Sequence, residues 1–342
     1  MIISALITNF AFAQSQNVDS IKIYKLALDA DIKSVIPLVE SYDLQNLNDT
    51  CKAFVLQYKN IFVSDQDNSD YLKNHDSKIN TLLYIYHNYW RKSLLLNQSF
   101  DSLIMNNVYD FLKKDYPNVT NNEDSLNVYL SKYISGKGYY STGFSRVGKL
   151  YDLLVWETEK DTVYHIKNKI LDSKVRVVFM TDFVCLGWED YATFGKYYPG
   201  GWAEKDKLFC VIDSYDKTSE KFRVSYLAHE GQHFSDYKHF SDLTSYELEY
   251  RAKLVELSLS DERLFHLIEF FINNSNKESK DGHCKANYSV ISNLSKRLFD
   301  IDFEGNITKW KQVEKKKINK TAYKLLQENT RLLKKTSEKC KK

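Results

Sequence analysis

Only 11 glycines and 3 prolines punctuate 342 residues. A turn-dense sandwich or barrel needs those two residues at short intervals, glycine for left-handed backbone and proline for rigid corners. Their scarcity restricts this chain to long elements separated by polar breaks. The apolar residues agree. Over residues 19–137 they recur three and four apart, as in Ile21, Tyr24 and Leu28 and again in Leu82, Ile85 and Tyr89, which is the spacing of one face of a helix. The breaks are polar: residues 64–70, then Pro117 with Asn118, after which Thr120-x-x-Glu123 reads as a capping box for a helix over residues 126–133.

Beyond Ser135-Gly136-Lys137-Gly138 the apolar period changes from 3.6 to 2. Residues 149–156 and 162–166, separated by a polar stretch, read as a hairpin, and residues 174–180 and 208–212 as β-branched strands. Trp188, Tyr191, Tyr197, Tyr198 and Trp202 crowd the connection between those two strands. Helical spacing resumes near Ser219 and continues over residues 221–237 and 245–273. The expectation is an α+β fold, helix-rich, in which a small, mostly antiparallel sheet packs on the helix around residue 229. Its parts are a signal-like segment (1–13), a helical region (14–137), a mixed domain (138–300) and a lysine-rich C-terminal helix (301–342).

Composition bounds the partners. With 43% hydrophobic residues the chain can bury a core, which sets disorder aside. Its formal charge of +3, from 48 basic against 45 acidic residues, provides no overall attraction to nucleic acid or to an anionic membrane. The local excess of lysine beyond Lys309 is interleaved with only Trp310 and Tyr323, so it reads as a solvated helix and not as a stacking surface for bases. Residues 2–13, IISALITNFAFA, end in Ala11-Phe12-Ala13, a small-x-small cleavage pattern that points to export. The run is too short to cross a bilayer, and no later stretch is long enough, so no stable membrane insertion is expected. Five cysteines, odd in number and without CxxC, signal neither a disulfide scaffold nor a thiolate zinc site.

The strongest chemical signal is His229-Glu230-Gly231-Gln232-His233. Residues four apart on a helix lie on one face a turn apart, so both imidazoles can reach a single Zn²⁺. Glu230 then stands beside them as the base that takes a proton from water. Catalytic zinc takes three protein ligands, and several residues compete for the third place. His239 lies six residues past His233, but Asp236 occupies the position where a glycine turn is wanted, and every methionine (Met1, Met105, Met180) precedes the motif. Glu247 and Glu249 lie on the next helix. Thr244-x-x-Glu247 is a capping box that employs Glu247 at the helix start, leaving Glu249 free. Glu256, two turns further, is either a weaker ligand candidate or the acceptor of a ligand imidazole's second N–H.

Taken together, His229, Glu230, His233 and Glu249 resemble the zinc core of the HExxH metallopeptidases of the gluzincin type, over roughly residues 149–260. The resemblance implies a zinc cofactor, hydrolysis of a peptide or protein substrate, and a ligand helix of the form Glu-x-x-Ala, met here by Glu249 and Ala252. It also implies an extended substrate pairing with the strand before the active helix, a place held by residues 208–212. Tyr237, His239, Tyr246, Tyr250 and Arg251 are the nearby groups able to stabilise an oxyanion. The remaining histidines, including His283, show no ligand spacing. A different class of function is also consistent with the composition, namely a catalytically inactive helical binding protein with a structural metal site.

Overall fold

The computed structural model describes residues 18–64, 76–240, 242–279 and 281–340. The signal-like residues 1–13 lie outside that set. Among the described residues are thirteen α-helices and seven strands, five of the strands in one mixed sheet and two in a separate pair, so the chain is α+β with helix dominant. It divides into two compact units, Met1–Trp156 with Phe183–Tyr198, and Glu157–Asp182 with Pro199–Lys342. Helices give way to strands between Ser135 and Tyr140, but the units part elsewhere, because the first keeps the strands up to Trp156 and takes back a segment after Asp182.

The first unit contains helices α1 (Ser20–Leu28), α2 (Ile32–Glu40), α3 (Asp49–Tyr58), α4 (Ser77–Leu96), α5 (Asp101–Leu112), α6 (Glu123–Ser135) and α7 (Trp188–Thr193). Its strands are β1 (Tyr140–Ser141), β2 (Ser145–Val147), β3 (Leu150–Asp152) and parts of β4 (Leu154–Lys167) and β5 (Asp172–Leu186). Short acceptor side chains start its helices. Asp19, Asp31, Asn48, Asp76 and Asn122 each accept a backbone N–H of the first turn. The cap of α6 is therefore Asn122 and not Thr120, whose hydroxyl instead accepts from the Asn122 amide at 2.8 Å. Its core mixes aliphatic side chains with large aromatic ones, and several of the aromatic polar ends are paired, although the Tyr86 and Tyr133 hydroxyls find no hydrogen-bond partner among the described residues. Trp90 Nε1 donates to the Tyr151 carbonyl at 2.8 Å, and the Tyr89 hydroxyl accepts from Tyr151 N–H at 3.1 Å. Trp188, expected in a loop, lies in the first turn of α7 and is 2% exposed.

Asp152 is fully buried in this unit. Its Oδ1 accepts from the Trp188 N–H at 2.8 Å, while its Oδ2 has no hydrogen-bond partner among the described residues. Burial pushes its pKa up to about 7 against the backbone N–H groups of Trp188 and Leu153, and Glu189 and Asp190 add to the rise. An elevated carboxyl pKa means that the folded state prefers the neutral form. Unfolded chain ionises first, so the contribution of this carboxyl to stability is fully present below about pH 4 and is lost as pH rises towards 7, by about 4 kcal/mol in all. Asp152→Asn keeps the acceptor for Trp188 and cannot ionise. Urea unfolding at pH 4.5 and pH 8 should show the variant gaining on wild type as pH rises, and parallel profiles for the two proteins would contradict the assignment.

The second unit holds the rest of β4 and β5, then β6 (Gly201–Ala203) and β7 (Lys207–Val211). A π-helical stretch, Lys221–Ala228, runs directly into α8 (His229–His239). There follow α9 (Ser245–Leu259), α10 (Leu264–Asn273), α11 (Gly282–Leu298), α12 (Ile307–Lys311) and α13 (Lys315–Cys340). β5 runs parallel to β7 with Val177 opposite Leu208, and β6 closes the edge antiparallel to β7 with Trp202 opposite Phe209. The expected hairpin is absent. β4 continues unbroken from Leu154 to Lys167, since Glu157-Thr-Glu-Lys-Asp161 contains no glycine, asparagine or proline to turn the chain and mostly faces solvent.

The long helix expected over residues 245–273 is in fact two, broken at Ser260. The buried Glu220 carboxylate accepts the backbone N–H groups of Asp261, Glu262 and Arg263 at 3.1, 2.9 and 3.0 Å, which satisfies the start of α10 from a distance. α9 is the centre of the unit. It packs against α8, α11 and α13, and every residue from Glu249 to Ser258 is buried. α13 buries Ile318, Ala322, Leu325 and Leu326, and Trp310 is enclosed with its Nε1 donating to the Glu304 carbonyl at 2.9 Å. No described helix is long and apolar enough to cross a membrane.

Candidate metal centre

A helix buried on all sides that carries Glu249, Arg251, Lys253 and Glu256 must find a partner for each charge, and those partners define the site. Glu249, Lys253 and Glu256 recur four and three residues apart, along one face of α9. α8 sets its two motif histidines a turn apart against that face. The α9 start is fixed by the capping box in which Thr244 Oγ1 accepts from Glu247 N–H and Glu247 Oε2 accepts from Thr244 N–H. Glu247 is thereby held away from the histidines, as its cap role demands.

The structure brings together His229, His233 and Glu249, all buried, with one ligand atom from each within 4.8 Å of the others. The two Nε2 atoms are 3.1 Å apart and the rings nearly perpendicular, at 88°. His233 Nε2 lies 3.2 Å from Glu249 Oε1, and His229 Nε2 lies 3.8 Å from Oε2. Ligand atoms 2.0–2.2 Å from a tetrahedral zinc are separated by roughly 3.3–3.6 Å, so these spacings suit one small divalent ion. The donor set, two imidazoles and a carboxylate, suits it too. Glu256 accepts from His229 Nδ1 at 2.7 Å, which turns Nε2 towards the other ligands. His233 Nδ1 is buried without a hydrogen-bond partner among the described residues.

The electrostatics favour a cation. Burial alone would lower the His229 pKa, but the Glu256 and Glu249 carboxylates outweigh it and raise the value to about 10. Burial alone would raise Glu249, but Lys253 and then the imidazoles of His229, His233 and His283 hold its carboxyl well below the usual range. The raised His229 value reports negative potential at the ring nitrogens, which attracts a metal ion as it does a proton, whereas the lowered Glu249 value reports the positive groups around that carboxylate, which keep it ionised and able to ligate.

Glu230, on the turn between the histidines, is half-buried and makes no hydrogen bond or ion pair with a described residue. Most of the other candidates are engaged elsewhere. His239 is exposed and donates from Nδ1 to the Ser235 carbonyl at 2.7 Å, outside the cluster. The Tyr246 hydroxyl pairs with Ser289 at 3.0 Å, the Tyr250 hydroxyl accepts from Asn293 at 3.0 Å, and Arg251 is locked to Asp236 at 2.8 Å. Of these candidates Tyr237, 40% exposed, is the one whose hydroxyl has no partner among the described residues. Burial raises its pKa, and Glu230 and Glu249 add to the rise, so it remains a donor at neutral pH.

Two residues of the site escape a reading of spacing. His283, at the start of α11, places Nδ1 2.9 Å from Glu249 Oε2, and Lys253 places Nζ 3.2 Å from the same oxygen. The strand over residues 208–212, expected to pair with substrate, has no free edge. β7 is paired on both sides, with β5 and β6, so its backbone groups are already used, and the free edge belongs to β6. The chain matches no family model, no curated protein and no solved structure.

Proposed function

We propose that this chain is a zinc-dependent hydrolase, a metallopeptidase resembling the gluzincins, acting on a peptide or protein substrate after export. The observation that carries the reading is the convergence of His229, His233 and Glu249, with Glu230, which pairs with no described residue, on the turn between the histidines. Zinc held by the three side chains supplies a Lewis acid that polarises a carbonyl and brings the pKa of water close to neutral. Glu230 takes the proton from water and returns it to the leaving amine. Glu256 holds His229 in the ligating tautomer. Tyr237 and His283 are the donors with ring or hydroxyl exposed beside the cluster, and they are the groups assigned to the developing oxyanion. Extended substrate pairs with the free edge of β6, which adjoins α8.

Among the described residues the cluster has three donors, which favours this reading over a binding protein with a structural ion, because structural zinc is closed by four. The ligand set is tested by elemental analysis of purified protein. Wild type and His239→Ala should each carry about one equivalent of zinc, and Glu249→Ala should carry little. Chelation should stop cleavage of an unfolded protein substrate, and zinc should restore it. Metal lost from His239→Ala but retained by Glu249→Ala would overturn the site, and cleavage indifferent to chelation would overturn the chemistry.

A further inference from the structure

Resting on the reading of His229, His233 and Glu249 as a metal site, the geometry points to Lys253 as a positioning residue that holds Glu249 as a one-oxygen ligand, and whose ammonium competes with the bound ion for that carboxylate. The two Glu249 oxygens have different surroundings. Oε1 faces His233 Nε2 at 3.2 Å. Oε2 is approached by Lys253 Nζ at 3.2 Å and by His283 Nδ1 at 2.9 Å. These are charge contacts without hydrogen-bond alignment, and His229 Nε2 also lies 3.8 Å from Oε2. A metal ion shared with Oε2 would have to approach the Lys253 ammonium, so Oε1 is the favoured ligand oxygen.

Both donors are built into position. Lys253 is 4% exposed and lies one turn beyond Glu249, with its Nζ also 5.1 Å from the centre of the Phe271 ring. His283 is carried in by the start of α11, where Gly282 allows the helix to meet the first turn of α9. A Cβ at Gly282 would lie 2.5 Å from Ser245 Oγ and 3.0 Å from Tyr246 N.

Burial makes Lys253 consequential. A lysine enclosed in the core needs a counter-charge, and its ion pair is with the metal ligand itself. Before metal arrives, the ammonium keeps Glu249 from standing as an unpaired buried anion. Once a divalent ion is bound, the same ammonium is a neighbouring positive charge in a weakly screened setting. Lys253 therefore stabilises the metal-free fold and weakens metal binding, two effects that are linked.

The test uses the full chain with Lys253→Met, which retains most of the buried volume, and Lys253→Arg, which retains the charge. Metal-free protein is titrated with Zn²⁺ against a chromophoric chelator, the visible absorption of the Co²⁺ form is recorded, and thermal midpoints are measured with and without metal. Lys253→Met should bind zinc at least tenfold more tightly than wild type, melt lower without metal, and show a weaker Co²⁺ band as Glu249 gains a second ligating oxygen. Lys253→Arg should stay near wild type in all three. Equal or weaker zinc binding by Lys253→Met would overturn the inference while leaving the metal site standing. So would a Lys253→Arg that shifts as far as Lys253→Met, or a Lys253→Met that fails to fold even with zinc present while Lys253→Arg folds. Wild type that takes up neither Zn²⁺ nor Co²⁺ would overturn the metal site and this inference together.

Discussion

Glu230→Gln is expected to lower hydrolysis by about 10²–10⁴-fold while zinc content and thermal midpoint stay where they are in wild type. The separation of those effects follows from the surroundings of the side chain. Glu230 is half-buried, contacts no cation and is not placed among the converging ligand atoms, so its replacement unpairs nothing and should fall within about 0.5 kcal/mol of wild type in stability. An amide of the same shape cannot accept a proton. What is lost is the base, and the loss should appear in kcat with the ligands His229, His233 and Glu249 undisturbed. Steady-state rates on a quenched peptide, measured beside elemental analysis of the same samples, make the comparison. If the variant lost its zinc, Glu230 would belong to the ligand set or its support, and if it kept wild-type rates the assignment of the base would be wrong.

Chemistry at i and i+4 is legible in a sequence because a helix converts that spacing into a shared face, and His229 with His233 needs nothing more. Glu249 is distinguished from Glu247 because the cap role of Glu247 is local and leaves a sequence signature. The contact of Glu256 with His229 follows the same logic, since seven residues make nearly two turns of about 3.6 residues each and return position 256 to the face of position 249. Lys253 shows where that logic ends. A Glu and Lys four apart read as a solvated helix pair, and α9 mixes charged and apolar residues with no single apolar face. Only the packing of α8, α11 and α13 against it turns those charges inward. His283 is more remote still, because its approach depends on Gly282 meeting the α9 backbone, a contact between residues far apart in the chain. Strand boundaries failed for a related reason. A polar run inside β4 marks exposure as readily as it marks a turn, and only turn-forming residues, absent between Glu157 and Asp161, separate the two.

Arg251→Met is expected to destabilise the folded chain by about 3–5 kcal/mol, a fall in thermal midpoint on the order of 10 °C for a unit of this size. Arg251 is 3% exposed and Asp236 1% exposed, so neither charge has water to fall back on. The guanidinium meets the carboxylate in a fork, Nε to Oδ2 at 2.8 Å and Nη2 to Oδ1 at 2.9 Å, and its remaining nitrogen donates to Asn329 Oδ1 at 2.7 Å and Thr330 Oγ1 at 3.0 Å. Gln232 donates to the same Asp236 from within the motif at 2.8 Å. One side chain thus ties the helix bearing both histidines, the helix bearing Glu249, and the C-terminal helix. Methionine leaves Asp236 as an uncompensated buried anion three residues beyond His233. Zinc affinity should weaken along with stability, because the spacing between α8 and α9 is what brings the ligand atoms together. Pairing the change with Asp236→Leu removes the stranded charge, and the double variant should recover most of the lost stability, since apolar side chains of similar volume often replace buried ion pairs without loss. Denaturant midpoints for the two single variants and the double, with zinc dissociation constants for each, decide it. Additive losses would show that Arg251 and Asp236 act independently, and recovery of stability without recovery of zinc binding would assign the pair a role in ligand geometry beyond holding the helices together.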